Sequence, residues 1–323
     1  MSETSATLAA ALLPALHVSP EFDEKVTAVR ASAAAGTLAV ISDFDHTLTT
    51  PASQECHDIV GCAEIMPKAF RKAMGEMLDF SEPRPETPNE WWGRCNALMV
   101  EFGLRRHFVG QMVRDAPCFP RNGLTNFLNA CRSSEVPLLI VSAGLSDVIE
   151  EFLSARCSQP LPDHLLRVSA NRMVFGSDGT LRSFEASSPY HSHNKFMTAQ
   201  REKEFLFGHA IMPIAGVPTS PRSLDHLIVL GDKPYDVDAA SGVLPHPKAR
   251  INDGEGGSAI CEESDARPGE AAVRSPVPYN QLRIAFFDSR NNRYKLQDYI
   301  DTYDLVLPSE SSGLEAAIAV LRR

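Results

Sequence analysis

Val40-Ile41-Ser42-Asp43-Phe44-Asp45-His46-Thr47-Leu48-Thr49 decides how the rest of the chain is read. A short apolar run leads straight into two carboxylates two residues apart, followed by Thr-Leu. Two negative charges at one strand tip repel each other, and a divalent cation removes that conflict. One or two carboxylates plus a phosphate are what Mg²⁺ accepts. In an open α/β sheet, ligands bind just beyond the carboxyl ends of the strands. The stretch therefore points to phosphoryl transfer, with one Asp as nucleophile and the other as acid and base. An Asp after an apolar strand also serves as a turn former or helix N-cap, so the remaining chain must supply the other parts of such a site.

Working outward, Glu21 to Ala35 reads as a helix, with Phe22, Val26 and Val29 at helical spacing and Gly36 as its stop. Thr37 to Asp43 reads as a buried parallel strand. From residue 51 to 121 the pattern turns helical. Met66, Phe70, Met74 and Met77 form one stripe, and Trp91, Cys95, Leu98 and Phe102 a second. The prolines of Ser81 to Pro88 break the helix between them. This is a helical module inserted after the first strand, with its stripes serving mainly as core. The α/β pattern resumes with a helix at Leu124 to Cys131, a strand at Pro137 to Ser142 and a helix at Val148 to Ala155. Val168 to Leu181 reads as a hairpin turning at Ser177-Asp178-Gly179. Further strands are His226 to Leu230, Arg283 to Phe287 and Leu305 to Leu307. Gly208 to Ser223 reads as a loop. Leu244 to Gln281, rich in Gly, Ser and charge, reads as a disordered insertion, because it cannot bury enough apolar area to offset its ordering entropy.

Size and composition narrow the class. The chain has 323 residues and a net charge of −10, which argues against non-specific nucleic-acid binding. An anionic small substrate remains compatible, since a metal and a few local cations override the global field. Seven cysteines, an odd number, do not read as a disulfide framework and favour a reducing compartment. Residues 1–20 lack the basic start of a signal peptide and are too short to span a bilayer. A cytoplasmic protein with no membrane association and no obligate protein partner is the expectation.

Three strands end in polar residues suited to phosphate: Asp43-Phe44-Asp45, Ser142-Ala143-Gly144 and Gly231-Asp232-Lys233-Pro234-Tyr235-Asp236. Lys195 stands before a helix. A carboxylate nucleophile splits ester hydrolysis into two steps, and Asp43, first at the strand tip, takes that role. Asp45 lies on the same side of an extended chain and suits the acid/base, and its backbone carbonyl is in reach of a metal. Ser142 and Ala143, followed by Gly144, offer a hydroxyl and backbone N–H groups to phosphate oxygens. Lys195 neutralises phosphoryl charge. Asp232 reads as a further metal ligand, and Asp236 holds a metal water or orients Lys195. The Ser is not in a Gly-x-Ser-x-Gly elbow, which sets a serine hydrolase aside. Cys56, His57 and Cys62 lack a fourth ligand for zinc.

These stretches resemble the four motifs of the haloacid dehalogenase superfamily. Glu55-Cys56-His57-Asp58-Ile59-Val60, the run Val141 to Glu151, His191-x-x-Asn194-Lys195 and Asp301 to Leu307 make the chain similar to the cytosolic 5′-nucleotidase III, or pyrimidine 5′-nucleotidase, family. The resemblance implies an α/β fold: a Rossmann-like core of parallel strands (residues 21–50 and 122–323) with a helical, C1-type cap at 51–121. It implies Mg²⁺-dependent hydrolysis of nucleoside 5′-monophosphates. By match, Asp43 is the nucleophile, Asp45 the acid/base, Asp43, Asp45 and Asp232 the metal ligands, and Ser142, Ala143 and Lys195 the phosphate binders. Lys233 and Tyr235 stand where the family has Ser and Gly. In the cap, Asp79 and Cys95 align with the base-reading positions, and Trp91 or Trp92 offers a ring for stacking. A phosphatase of another small ester such as phosphoserine, a binding protein without turnover, and a phosphoryl-accepting receiver are the competing classes.

Overall fold

Leu38–Ser42, the strand leading into Asp43, is buried along its whole length in the middle of a seven-stranded sheet. The computed structural model describes residues 3–79, 87–157, 161–209, 224–244, 280–291 and 293–322. The strands are β1 (His17–Val18), β2 (Leu38–Ser42), β3 (Leu138–Leu145), β4 (Leu166–Asn171), β5 (Met173–Phe175), β6 (Leu181–Phe184), β7 (His226–Gly231), β8 (Gln281–Phe287) and β9 (Leu305–Pro308). The large sheet runs β1-β9-β8-β7-β2-β3-β4 and is parallel except for β1, which pairs antiparallel with β9. β5 and β6 form a separate hairpin. This is the α/β architecture with a parallel sheet that the sequence implies.

Successive strand residues point to opposite faces, and the burial follows that alternation. Leu38, Val40, Leu138, Ile140, Ile228, Leu230, Leu282 and Ile284 join one apolar cluster, while Ala39, Ile41, Leu139, Val141, Leu227, Val229 and Ala285 join the other. Helices cover both faces, so the strands read as continuous apolar runs instead of alternating ones. The Phe22–Ala35 helix stops at Gly36, whose φ of 72° lies in the left-handed region that favours glycine.

Chain order sets where a ligand can sit. From β2 the chain adds β3 and β4 on one side, then crosses to add β7, β8 and β9 on the other. The reversal falls between β2 and β7, the topological switch point where such sheets open a crevice. Register places Ser42 beside Ile140 and Leu230. The polar ends of β2, β3 and β7 therefore leave the sheet at one level.

Among the described residues, five helices lie between β2 and β3: Cys56–Gly61, Lys68–Leu78, Pro88–Glu101 and Arg106–Asp115 in the insertion, then Leu124–Ser133 leading back to β3. Phe70, Met74 and Met77 are buried as expected. In the next helix the buried stripe is Trp91, Cys95 and Met99, with Leu98 only partly buried. The Thr87 hydroxyl accepts from the Glu90 N–H, and Glu90 reaches back to the Thr87 N–H, a capping box that starts this helix at Pro88.

The expected hairpin at Val168 to Leu181 needs correction. Its first part, β4, is a parallel strand of the main sheet beside β3, and the hairpin is β5–β6. Asn171 makes the break: its amide donates to the carbonyls of Ala143, Gly144 and Tyr190, which ends the strand against the tip of β3. The leader contains a helix, Glu3–Leu12, and the two-residue β1. The proline-rich stretch at 81–86, most of the Gly208 to Ser223 loop and positions 245–279 of the insertion lie outside the described residues. Among the described residues, no helix is long and apolar enough to cross a membrane.

Candidate active site

Asp43 follows the last residue of β2, its N–H held by the Leu230 carbonyl at 3.0 Å. Its carboxylate Oδ1 accepts from Lys195 Nζ at 2.5 Å, and the same ammonium donates to Asp236 Oδ1 at 2.7 Å. Lys195 opens the helix Lys195–Arg201 and is 5 % exposed. Asn194 fixes the approach to it, accepting from the His191 N–H and donating to the Pro189 carbonyl. Burial alone would lower the Lys195 pKa, but Asp236 and Asp43 outweigh it and keep the amine protonated.

Asp236 turns its other oxygen to the chain, accepting from the N–H groups of Asp232 at 3.0 Å and Lys233 at 2.8 Å. It thereby shapes the turn after β7 and aims Lys195. Gly231 is required there: a Cβ would lie 2.5 Å from the Tyr303 hydroxyl and 2.6 Å from Asp236 Cβ. Tyr299 and Tyr303 donate to the Asp232 and Lys233 carbonyls at 2.7 and 2.6 Å. Asp232 pairs through Oδ2 with the Lys233 ammonium and faces His46 Nδ1 at 3.9 Å. Burial opposes its charge, yet Lys233 and His46 prevail and hold its carboxyl below the usual range.

Asp45 points elsewhere. Its Oδ1 accepts from the Cys56 N–H at 3.2 Å and the Cys56 thiol at 3.5 Å. Burial, reinforced by Glu55 and Asp43, raises its carboxyl well above the usual range. Ser142 accepts from the Gly144 N–H at 2.9 Å and is 2 % exposed. A Cβ on Gly144 would stand 2.7 Å from Cys56 Sγ, so the Ser142-Ala143-Gly144 loop and the Cys56–Gly61 helix fit only with glycine between them.

The donor set suits a hard cation. Asp43, Asp232 and Asp236 each bring a carboxylate oxygen within 4.8 Å of the others. Burial pushes the Asp43 carboxyl up to about 8, with Lys195 opposing and Asp236 and Asp232 adding to the rise. Further positive charge here would return Asp43 to its ionised form. Of the four carboxylates named for a metal, Asp43, Asp232 and Asp236 fall in this cluster, Asp236 being also held by Lys195 and two N–H groups, while the Asp45 side chain is turned to Cys56.

The helical residues separate. Trp91 is buried and donates to the Met77 carbonyl, a core role, and Cys95 is fully buried. Asp79 is exposed at the end of the Lys68–Leu78 helix. Trp92 is only partly buried, and its indole N–H donates to the Ala143 carbonyl at 2.8 Å. Its ring stands 6.0 Å from His57 and 6.4 Å from His191 between centroids.

Sequence reading passes over Arg121. It is 2 % exposed and donates to the carbonyls of His46, Thr47, Ser309 and Ser312, with its guanidinium 3.9 Å from the centre of the Phe286 ring. It secures the turn after Asp45, where His46 adopts a φ of 60°. Its position just before Asn122-Gly123, at the end of the helical insertion, is the only trace of this in the sequence.

Comparison with known proteins bears on the family and the fold. The sequence model of the family described as pyrimidine 5′-nucleotidase (UMPH-1) matches residues 70–252. The 7-methylguanosine phosphate-specific 5′-nucleotidase of Gallus gallus is 26 % identical over 301 residues, covering 88 % of this chain and 87 % of that protein. The Homo sapiens protein of the same name is 24 % identical over 292 residues, covering 85 % and 81 %. A crystal structure of cytosolic 5′-nucleotidase IIIB bound to cytidine shares the fold, with a TM-score of 0.68 at 19 % identity over 99 % of this chain and 97 % of that one.

Proposed function

The chain belongs to the pyrimidine 5′-nucleotidase family and is a phosphoric monoester hydrolase, and from that premise we propose that it hydrolyses pyrimidine or 7-methylguanosine 5′-monophosphates through a phosphorylated Asp43. The observation that carries this is the Asp43–Lys195–Asp236 chain of charge at the switch point, with Asp45 two residues on, its carboxyl raised well above the usual range by burial. The Asp43 carboxylate attacks phosphorus as the bond to the nucleoside 5′ oxygen breaks, and Asp45 gives that oxygen its proton. Asp45 then takes a proton from water, whose oxygen attacks the acyl phosphate and frees Asp43 and inorganic phosphate. Lys195 aims Asp43 and meets the charge growing on the phosphoryl oxygens. Ser142 and the N–H groups of its loop cradle the remaining oxygens.

Asp43, Asp232 and the Asp45 backbone carbonyl would hold Mg²⁺, which supplies charge neutralisation at the phosphoryl group. Trp92, anchored beside the phosphate loop, offers the face on which the base stacks, and the helices of residues 51–121 act as the cap that closes the pocket. A cytoplasmic location is supported by the free thiols of the described cysteines. Phosphate release from CMP, UMP, AMP, 7-methyl-GMP and phosphoserine, each with Mg²⁺ and with EDTA, tests the reading. Release is expected from the pyrimidine or 7-methylguanosine substrates with Mg²⁺ only, and Asp43→Asn should lower it at least about 10³-fold. Equal turnover by Asp43→Asn, or preference for phosphoserine, overturns the proposal.

A further inference from the structure

Lys233 is a cation already seated on a metal-ligand carboxylate. Its ammonium pairs with Asp232 Oδ2, one of the three carboxylate groups of the acidic cluster. The two side chains differ in freedom. Asp232 is 7 % exposed, while Lys233 retains 16 % of its side-chain surface, at the end of a flexible stem. The Lys233 backbone is clamped from both sides, its N–H to Asp236 and its carbonyl to Tyr303, so only the side chain can leave. Lys195 is placed differently: it is 5 % exposed and bridges two carboxylates.

An ammonium and a divalent ion compete for Oδ2, because like charges a few ångströms apart repel strongly where water is scarce. We propose that Lys233 is a tethered counter-cation that a divalent metal must displace from Asp232, so that metal binding and release of the Lys233 side chain are one event. This rests on the reading of the cluster as the metal site. Lys233 keeps Asp232 compensated in the metal-free protein, where a lone buried carboxylate would destabilise the fold. The same contact weakens the metal, since binding must first break the pair. Lys195, fixed by two partners, stays on Asp43.

The test uses the full chain. Mn²⁺ binding is titrated by electron paramagnetic resonance for the wild type, Lys233→Ser and Asp232→Asn, and Mg²⁺ competes against it. Acetylation of Lys233 in the wild type is followed by mass spectrometry with and without Mg²⁺, which needs no variant to fold. Lys233→Ser is expected to bind Mn²⁺ about tenfold tighter or more, and Lys233 acetylation is expected to rise when Mg²⁺ is added. Unchanged or weaker Mn²⁺ binding by Lys233→Ser, or acetylation that ignores Mg²⁺, overturns the inference while leaving the metal site standing. Mn²⁺ binding by Asp232→Asn as tight as the wild type overturns the metal-site reading itself.

Discussion

His57 shows what a single buried side chain imposes. It is 6 % exposed beneath Trp91 and Trp92, its Nε2 has no hydrogen-bond partner among the described residues, and burial lowers its pKa from 6.5 to about 4. In the unfolded chain the imidazole takes up a proton once the pH falls below 6.5, whereas in the folded protein it stays neutral down to about 4. The unfolded state therefore binds more protons in that window, and stability must fall as the solution is acidified through it. The loss amounts to roughly 3 kcal/mol at most, from about 1.4 kcal/mol per unit of displacement. His57→Gln should flatten the stability curve between pH 6.5 and 4, which urea unfolding at several pH values will measure. The opposite arrangement holds at Arg121. Its charge is buried with no carboxylate in contact among the described residues, and four backbone carbonyls receive its N–H groups instead. Such a residue is hard to see in a sequence, because its partners are backbone atoms that every residue carries. Asp43, Ser142 and Asp232 are legible for the contrary reason: each interrupts or ends an apolar run with a polar group that needs a purpose.

Among the elements, the parallel strands β2, β3, β7, β8 and β9 are legible because burial on both faces writes unbroken apolar runs into the sequence. β1 is not, since two residues carry no period, and it exists only because the β9 edge is there to receive it. β4 misleads because its short run is followed by a true turn at Gly176 to Thr180, which draws the eye toward a single hairpin. The helical insertion declares its core stripes but not its contacts: nothing in the spacing of Trp91 and Trp92 tells which ring is core and which reaches Ala143. The junction of the phosphate loop with the Cys56–Gly61 helix yields a prediction of its own. Gly144→Ala drives a methyl group into Cys56, whose N–H and thiol hold Asp45. The cost should be about 1–3 kcal/mol in stability. The displaced acid should lower kcat about a hundredfold, a loss read from steady-state kinetics beside urea unfolding.

For the whole molecule, the Phe22–Ala35 helix is bound to the far end of the sheet by a buried ion pair. Lys25 Nζ lies 2.7 Å from Asp304, with side chains 3 % and 1 % exposed, and Asp304 also accepts from Ser19 and the Arg283 N–H. Lys25→Met removes the cation in contact with that carboxylate and should cost about 3–5 kcal/mol, while Lys25→Met combined with Asp304→Leu should recover much of it. Thermal unfolding of both variants checks the pair. The place of β2 in the sheet carries a further consequence. One of its flanks is closed by β3, but the other waits for β7, a strand made long afterwards. During synthesis, a chain cut short ahead of His226 exposes an apolar ribbon with a row of unanswered amides, a template for joining a neighbour. Ribosomal products stopped at that stage should therefore be recovered as sticky precipitate needing chaperone rescue, and no partial catalyst should be found among them.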